Sequence, residues 1–146
     1  MIWTLRIKLP LIRSECVRVI EIKSNASFLE LHETIQKAVD FDNDHLFDFF
    51  VGRHPESRVH SIGGEPSRGT FNPVKTYHNV HLCDVWPLPT SMNLYYLFDF
   101  GDNWLFQINK TRHKDKTEQP GVVYPRVIEI KGKNPIQYPD WEYEEE

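Results

Sequence analysis

Apolar and charged residues alternate over the first nine positions of the chain, which is the period-two pattern of a strand with one buried face. Residues 16–22 are rich in β-branched side chains and predict a second strand, antiparallel to the first. Ser27 and Glu30 then have the spacing of a capping box, and apolar residues recur on one helical face after them. We therefore expect an opening hairpin, followed by a helix over residues 28–39.

The middle of the chain predicts one strand and then a long irregular segment. Residues 45–51 are aromatic and branched, and favour a third strand. Residues 52–79 are rich in glycine, proline, serine, arginine and histidine, with too few apolar residues to pack. We expect a long loop there, containing at most one short edge strand, and loops of this length are usually mobile or functional.

A hairpin is predicted over residues 94–108, where two aromatic runs flank Gly101 and Asp102. If those two residues form the whole turn, Asp99 lies opposite Trp104 on one face of the hairpin. Both faces of the hairpin are mostly apolar. We therefore expect it at the centre of the sheet, with cover on each side.

The last predicted strand, residues 126–131, has the same six residues as positions 18–23. The segments that flank the two copies do not match, and the sequence shows no longer period. We interpret the two copies as strands in similar environments rather than as a duplication.

This order of elements predicts an α+β fold. We expect a mixed, mainly antiparallel sheet that opens β-β-α-β, with one main helix packed on a face and the later hairpin at the centre, in an α/β roll-like arrangement. A chain of 146 residues has the usual size of one domain. Residues 1–139 are expected to form that domain, and residues 140–146 an acidic, disordered tail.

Composition narrows the class of protein. Apolar residues make up 40% of the chain and aromatic residues 13%, which is enough to support a hydrophobic core. The net charge of −4 and the pI near 6.0 argue against generic binding of nucleic acid, which needs a basic surface. Cys16 and Cys83 cannot form a disulfide framework. Because the sequence shows neither a signal-peptide pattern nor an apolar run that could span a bilayer, we expect a cytoplasmic protein.

Three segments of the chain together resemble a known family. The first is the helical stretch that contains His32 and Gln36, and the second, residues 42–49, contains His45. The third, residues 96–104, reads Tyr-Leu-Phe-Asp-Phe-Gly-Asp-Asn-Trp. Together they resemble the Orf-three-like family of the plant-tumour plasmid pRiA, some of whose members are labelled TnpR-type passenger proteins of insertion elements. The resemblance implies an α+β fold of strands around a helix, with no established catalysis.

Asp99, Asp102 and His45 are the candidate catalytic residues, and Trp104 is a candidate binding residue. A carboxylate on an otherwise apolar face is costly to bury unless it is paired or hydrogen-bonded, so it either caps backbone amides or takes part in chemistry. The first role is the commoner one for aspartate at turns. His45 follows two aspartates and is expected to orient the turn between helix and strand.

His78, His81 and Asp84 are the candidate metal ligands. On a helix their spacing would place all three on one face, whereas on a strand the two histidines would point to opposite faces. A metal site needs three or four converging ligands with supporting hydrogen bonds, and the sequence does not identify such a set. The chain also lacks the glycine motifs that bind phosphates and dinucleotides, so we predict no cofactor.

Three functions are compatible with these patterns. The first is a non-enzymatic interaction module that binds an unknown protein partner, or itself, through an exposed apolar patch. The second is a nucleic-acid accessory protein of an insertion element, which would use Lys110, Arg112 and Lys114. The third is a metal-assisted hydrolase built from the aspartates and histidines. We rank them in this order because the sequence contains no complete catalytic set.

Overall fold

A computed structural model describes residues 1–9, 15–43, 46–62, 77, 79–99 and 104–135. The α+β class predicted from the sequence is confirmed. The predicted acidic tail lies outside the described residues. Within them, in chain order, the elements are β1 (Ile2–Leu9), β2 (Cys16–Lys23), α1 (Phe28–Ala38), β3 (Phe47–Gly52), β4 (Arg58–Ile62), α2 (Leu82–Val85), β5 (Asn93–Phe98), β6 (Trp104–Lys110) and β7 (Arg126–Lys131).

The strands form one sheet with the spatial order β4-β3-β5-β6-β1-β2-β7. Every strand pairing in the described part of the chain is antiparallel, so the parallel pair that a mixed sheet requires is not found there. The β5–β6 hairpin lies at the centre of the order, as predicted. Its core face is buried, whereas Leu97 and Leu105 on the other face are partly exposed. The short strand β4 forms one edge and falls within the predicted long loop.

The register of the β5–β6 hairpin differs from the predicted one. Phe98, not Asp99, lies opposite Trp104, and the connection is longer than a two-residue turn. Asp99 has a φ of 61° and has left the extended conformation of the strand. Because side chains alternate between faces, a shift of one residue exchanges the faces of one strand. Tyr96, rather than Tyr95, therefore shares the core face with Trp104.

Helix α1 packs across one face of the sheet. The hydroxyl of Ser27 accepts a hydrogen bond from the Glu30 amide at 3.1 Å and caps the N-terminus of the helix, which is one of the two bonds of the predicted capping box. Phe28 packs edge-on against Phe49 of β3, with 5.0 Å between ring centroids. The buried side of the helix also carries three polar side chains, His32, Thr34 and Gln36.

The two copies of the repeated hexapeptide lie side by side, because β2 pairs with β7. In β2, residues 18–22 are buried, with β1 on one side and β7 on the other. In β7 all six residues are exposed, since β7 is at the edge of the sheet and no strand follows it in the described ranges. The prediction of similar environments is therefore wrong, because the position of a strand in the sheet, not its local sequence, determines its burial.

Arg18 joins β2 to the elements around it. Its side chain is 1% exposed and lies on the core face of the sheet, opposite Ile7. Its guanidinium donates hydrogen bonds to the end of α1, to the end of β7 and to the segment after β7. A carbonyl at a helix C-terminus carries partial negative charge, which favours a cation there. The acceptors are the carbonyl oxygens of Ala38 (3.1 Å), Val17 (2.9 Å) and Lys131 (3.1 Å), and Asn134 Oδ1 (2.6 Å).

We predict that Arg18→Met destabilises the protein by about 3 kcal/mol, because it removes four partly buried hydrogen bonds of a buried cation and leaves their acceptors without this donor. Urea denaturation measures the change in the free energy of unfolding. Arg6→Met is the matched control, since Arg6 is exposed on the neighbouring strand β1 and its loss should cost less than about 0.5 kcal/mol. Equal effects of the two substitutions would contradict the assigned role of Arg18.

Candidate functional site

The first candidate site is a closed ring of four hydrogen bonds among His32, Gln36, Asn43 and Tyr96, which we call the His32 network. His32 Nδ1 lies 2.6 Å from the Tyr96 hydroxyl, and His32 Nε2 lies 2.6 Å from Asn43 Oδ1. Gln36 Nε2 donates to the Tyr96 hydroxyl at 2.8 Å, and Gln36 Oε1 accepts from the Asn43 amide at 3.0 Å. The imidazole also stacks on Phe47, with 3.6 Å between ring centroids.

One arrangement of protons satisfies the whole ring. Because Asn43 Oδ1 can only accept, His32 Nε2 carries the proton, and Nδ1 accepts from the Tyr96 hydroxyl. His32 is therefore neutral, and burial lowers the pKa of its imidazole. Burial also raises the pKa of Tyr96, so its hydroxyl stays protonated. These protonation states suit a structural network rather than acid–base catalysis near neutral pH.

The His32 network fixes the segment that leads from α1 to β3. Asn43 has a φ of 54°, in the left-handed region that asparagine tolerates better than most residues. Two residues earlier, Phe41 packs against Trp104 with 5.1 Å between ring centroids. The carbonyl of Leu46 accepts a hydrogen bond from the Asp99 amide at 3.0 Å. The three segments that carry the family resemblance therefore meet at one end of the sheet.

The predicted catalytic set is described only in part. Asp102 and His45 lie outside the described residues. Asp99 is 7% exposed and sits immediately after β5. Trp104, the candidate binding residue, begins β6 and packs in the core. The convergence of the two aspartates with His45 stays a prediction.

The predicted metal ligands are also described in part, because His78 lies outside the described ranges. His81 and Asp84 lie at the N-terminus of α2, where Asp84 Oδ2 accepts from the His81 amide at 3.0 Å and lies 3.4 Å from His81 Nδ1. Asp84 thus caps a short helix. No three histidine, cysteine or acidic side chains come together as metal ligands in the described part of the chain.

The basic segment that contains the predicted nucleic-acid contacts, residues 110–116, is partly neutralised by its own surroundings. Lys110 Nζ lies 3.1 Å from Asp115 Oδ1. Lys116 forms an ion pair at 2.7 Å with a buried glutamate of β2, while Arg112 and Lys114 are exposed. Two cations of the segment are therefore engaged within the chain, which reduces the positive charge available to a phosphate backbone.

The second candidate site is an open groove between the exposed side of α1 and β7, which we call the α1/β7 groove. Its cavity has a volume of about 430 Å³, within the range of ligand sites. Thr34 and Ala38 line one wall, and Tyr124, Pro125 and Val127 line the other. A second cavity of about 260 Å³ shares Tyr124 and Pro125 and extends the groove toward the turn after β2. The two cavities therefore adjoin along the same wall.

Charges on the α1 rim of the groove are separated by sign. Glu30 and Glu33 lie in the first half of the helix, and Lys37 lies in its last turn. All three side chains are exposed. An occupant with a basic residue at the glutamate end and an acidic residue at the lysine end therefore matches the rim.

Both ends of β7 are attached to β2, so the β7 wall of the groove is fixed. Arg18 binds the Lys131 carbonyl at the end of β7. At its start, Arg126 and Lys116 each donate to the buried Glu21 carboxylate at 2.7 Å. The hydrogen bond from Lys116, with that from Arg126, lowers the pKa of Glu21, so the carboxylate stays ionised.

The sequence pattern alone predicts neither the role of Arg18 nor the α1/β7 groove. A signal for Arg18 exists, because it is a cation at a core-facing position in a strand of branched residues. The groove has no comparable signal, since its walls are more than eighty residues apart in the chain. Only the pairing of β7 with β2 brings those walls together.

Fold and site together define an α+β protein with a groove beside an exposed edge strand. The chain belongs to the family of plasmid pRiA4b ORF-3-like proteins, whose model matches residues 1–141. No helix among the described residues is long and apolar enough to cross a membrane.

A solved structure resembles this fold. The crystal structure of the protein of unknown function MM3350 from Methanosarcina mazei Go1 has a TM-score of 0.72 and 27% sequence identity. The similarity covers 99% of this chain and 78% of that one. No curated protein sequence matches this chain significantly.

We predict that Tyr96→Phe lowers the free energy of unfolding by about 2 kcal/mol, because it leaves His32 Nδ1 and the Gln36 amide without their partner. Tyr95→Phe is the matched control. Its hydroxyl contacts the Arg53 carbonyl at 3.5 Å and the Asn93 side chain, and it has no part in the His32 network, so the cost should be about 1 kcal/mol or less. Denaturant titration of both variants provides the comparison, and similar costs would argue against the His32 network.

We also predict that stability falls as the pH drops below about 6.5, the ordinary pKa of histidine. The pKa of His32 is lower in the folded than in the unfolded protein, so the unfolded state binds the proton first. The His32 contribution is fully present above pH 6.5 and is lost below it by up to about 1.4 kcal/mol per pH unit. Unfolding curves measured across this range should show a steeper loss for the wild type than for His32→Gln. Parallel curves would contradict the prediction.

Proposed function

We propose that this protein is a non-enzymatic interaction module that binds an extended segment of a protein partner along β7. The observation that carries the proposal is the exposure of the whole edge strand. Val127, Ile128 and Ile130 are 38%, 44% and 66% exposed. Exposed edge strands with several apolar residues are sites where another chain adds a strand.

The adjoining α1/β7 groove supports the same proposal. Main-chain hydrogen bonds to a sheet edge supply affinity but little selectivity, whereas pockets for alternate side chains supply selectivity. Val127 belongs both to the edge strand and to the groove wall. A segment paired with β7 can thus direct alternate side chains toward the groove, where apolar atoms and the charged rim would select them.

Two finer statements belong to this proposal. The family resemblance supports association with a mobile genetic element. The neutralised cations at Lys110 and Lys116 favour a protein partner over nucleic acid.

Selection from a random-peptide library, followed by affinity measurement with the selected peptides, tests the proposal. We expect peptides with apolar residues at alternate positions and a basic residue that meets Glu30 or Glu33. Ile130→Lys should weaken their binding at least about tenfold, because it places a strongly hydrated cation in the apolar contact. N-methylation of alternate peptide amides should have a similar effect, since it removes the main-chain bonds of an added strand.

Val59→Lys is the matched control for Ile130→Lys. Val59 is 61% exposed on β4, the opposite edge of the sheet, and Ile130 is 66% exposed. The control should bind the selected peptides as the wild type does. Failure to select any peptide, or equal binding by Ile130→Lys and the wild type, would overturn the proposal.

A further inference from the structure

The sheet already contains two identical hexapeptides, Arg-Val-Ile-Glu-Ile-Lys, paired with each other. β2 and β7 run antiparallel, with Glu21 opposite Arg126 and Ile20 opposite Val127. If residues are numbered within the hexapeptide, the fourth residue of the β2 copy faces the first residue of the β7 copy. The third residue of the β2 copy faces the second residue of the β7 copy. Arg126 Nε donates to Glu21 Oε1 at 2.7 Å in this pairing. Beyond the irregularity in the pairing the register changes, with Val19 opposite Glu129 and Arg18 opposite Ile130. The observed complementarity is therefore between the Arg-Val start of the β7 copy and the Ile-Glu segment of the antiparallel β2 copy.

Because β7 has a neighbour on one side only in the described residues, the same complementarity is available on its other side. We propose that the partner of β7 is β7 of a second copy of this chain, which deepens the proposed function and rests on it. If the offset of the pairs Glu21–Arg126 and Ile20–Val127 is repeated between the two copies, Arg126 faces Glu129 of the second copy, and Val127 faces its Ile128. Exchange of the two copies reproduces the same contacts, so the pairing has two-fold symmetry and closes as a dimer.

The faces of β7 are compatible with this register. Arg126 lies opposite Glu21, and Glu129 lies opposite Val19. Glu21 and Val19 are two residues apart in β2 and share one face of the sheet. The irregularity between Val19 and Ile20 adds a residue to β7, so Arg126 and Glu129 also share a face although they are three positions apart.

Charge selects this register over its alternatives. Pairing Arg126 with Lys131 of the second copy would place like charges opposite each other, and centring the pair on Glu129 would oppose two carboxylates. The proposed register instead forms two reciprocal Arg–Glu contacts. Arg126 can serve both carboxylates, because Lys116 also neutralises Glu21.

The contact involves one six-residue strand from each copy and the exposed side chains beside it. It is smaller than the roughly 1,600 Å² of a standard stable interface. We therefore expect a dimer that dissociates on dilution.

Sedimentation equilibrium of the full chain over a range of concentrations tests the inference by charge complementation. The wild type should dimerise, and Glu129→Lys should weaken dimerisation at least about tenfold, because each Arg126 then faces a lysine. Arg126→Glu should be monomeric for the corresponding reason. A mixture of Glu129→Lys and Arg126→Glu should form a heterodimer, since both opposite-charge contacts are restored between the two variants.

The variants differ in their effect on the monomer. Glu129→Lys leaves the Arg126–Glu21 ion pair intact, whereas Arg126→Glu removes it. If Arg126→Glu does not fold, Arg126→Gln replaces it and restores one opposite-charge contact in the mixture. Val59→Lys at the β4 edge is the control that should dimerise as the wild type does.

A wild type that is monomeric at every concentration would overturn the self-pairing of β7. A dimer that Glu129→Lys leaves unchanged, or that Val59→Lys dissociates, would also overturn it. Neither result affects the binding of selected peptides to β7, so the proposed function is decided separately by that experiment. Loss of both peptide binding and dimerisation would overturn the two proposals together.

Discussion

The guanidinium of Arg18 is the constraint on which the position of β7, and hence the α1/β7 groove, depends. A buried cation is costly unless its donors are satisfied. Here three carbonyl oxygens and one amide oxygen accept from it. The Ala38 carbonyl ends α1, and the Lys131 carbonyl ends β7, so the distance between the two walls of the groove is set by the reach of one side chain. At the other end of β7, the Glu21–Arg126 pair performs the same task.

Helix α1 is oriented by polar contacts on its buried side. His32 and Gln36 bond Tyr96 of β5, while the end of the helix bonds Arg18 of β2. Hydrogen bonds are directional, so these contacts specify the rotation of the helix more narrowly than apolar packing alone. The exposed side that results carries Glu30, Glu33 and Lys37 toward the groove. The same hydrogen bonds of α1 thus contribute to stability and determine which side chains of the helix line the candidate binding surface.

The repeated hexapeptide is largely buried in one strand and exposed in the other. In β2 its apolar and charged residues are satisfied by neighbours on both sides, and in β7 they are exposed. Charged residues on an edge strand limit indiscriminate pairing, whereas apolar residues promote association. β7 combines both properties, because Arg126, Glu129 and Lys131 accompany the exposed branched side chains of Val127, Ile128 and Ile130. Such an edge disfavours registers that oppose like charges, which supports the proposed interaction module.

Local pattern was sufficient for the α+β class, the cap at Ser27 and the strand over residues 126–131, because periodicity and capping depend on neighbours in the chain. The local pattern predicted the wrong register for the β5–β6 hairpin. Asp99 lies outside β5 because of the conformation of the connection between the two strands, which the alternation of apolar and polar residues does not determine. The local pattern also assigned two identical hexapeptides to similar environments. Burial, the groove and the partners of Arg18 were decided by tertiary structure, because each requires contacts between segments that are far apart in sequence and acquire neighbours only when the sheet forms.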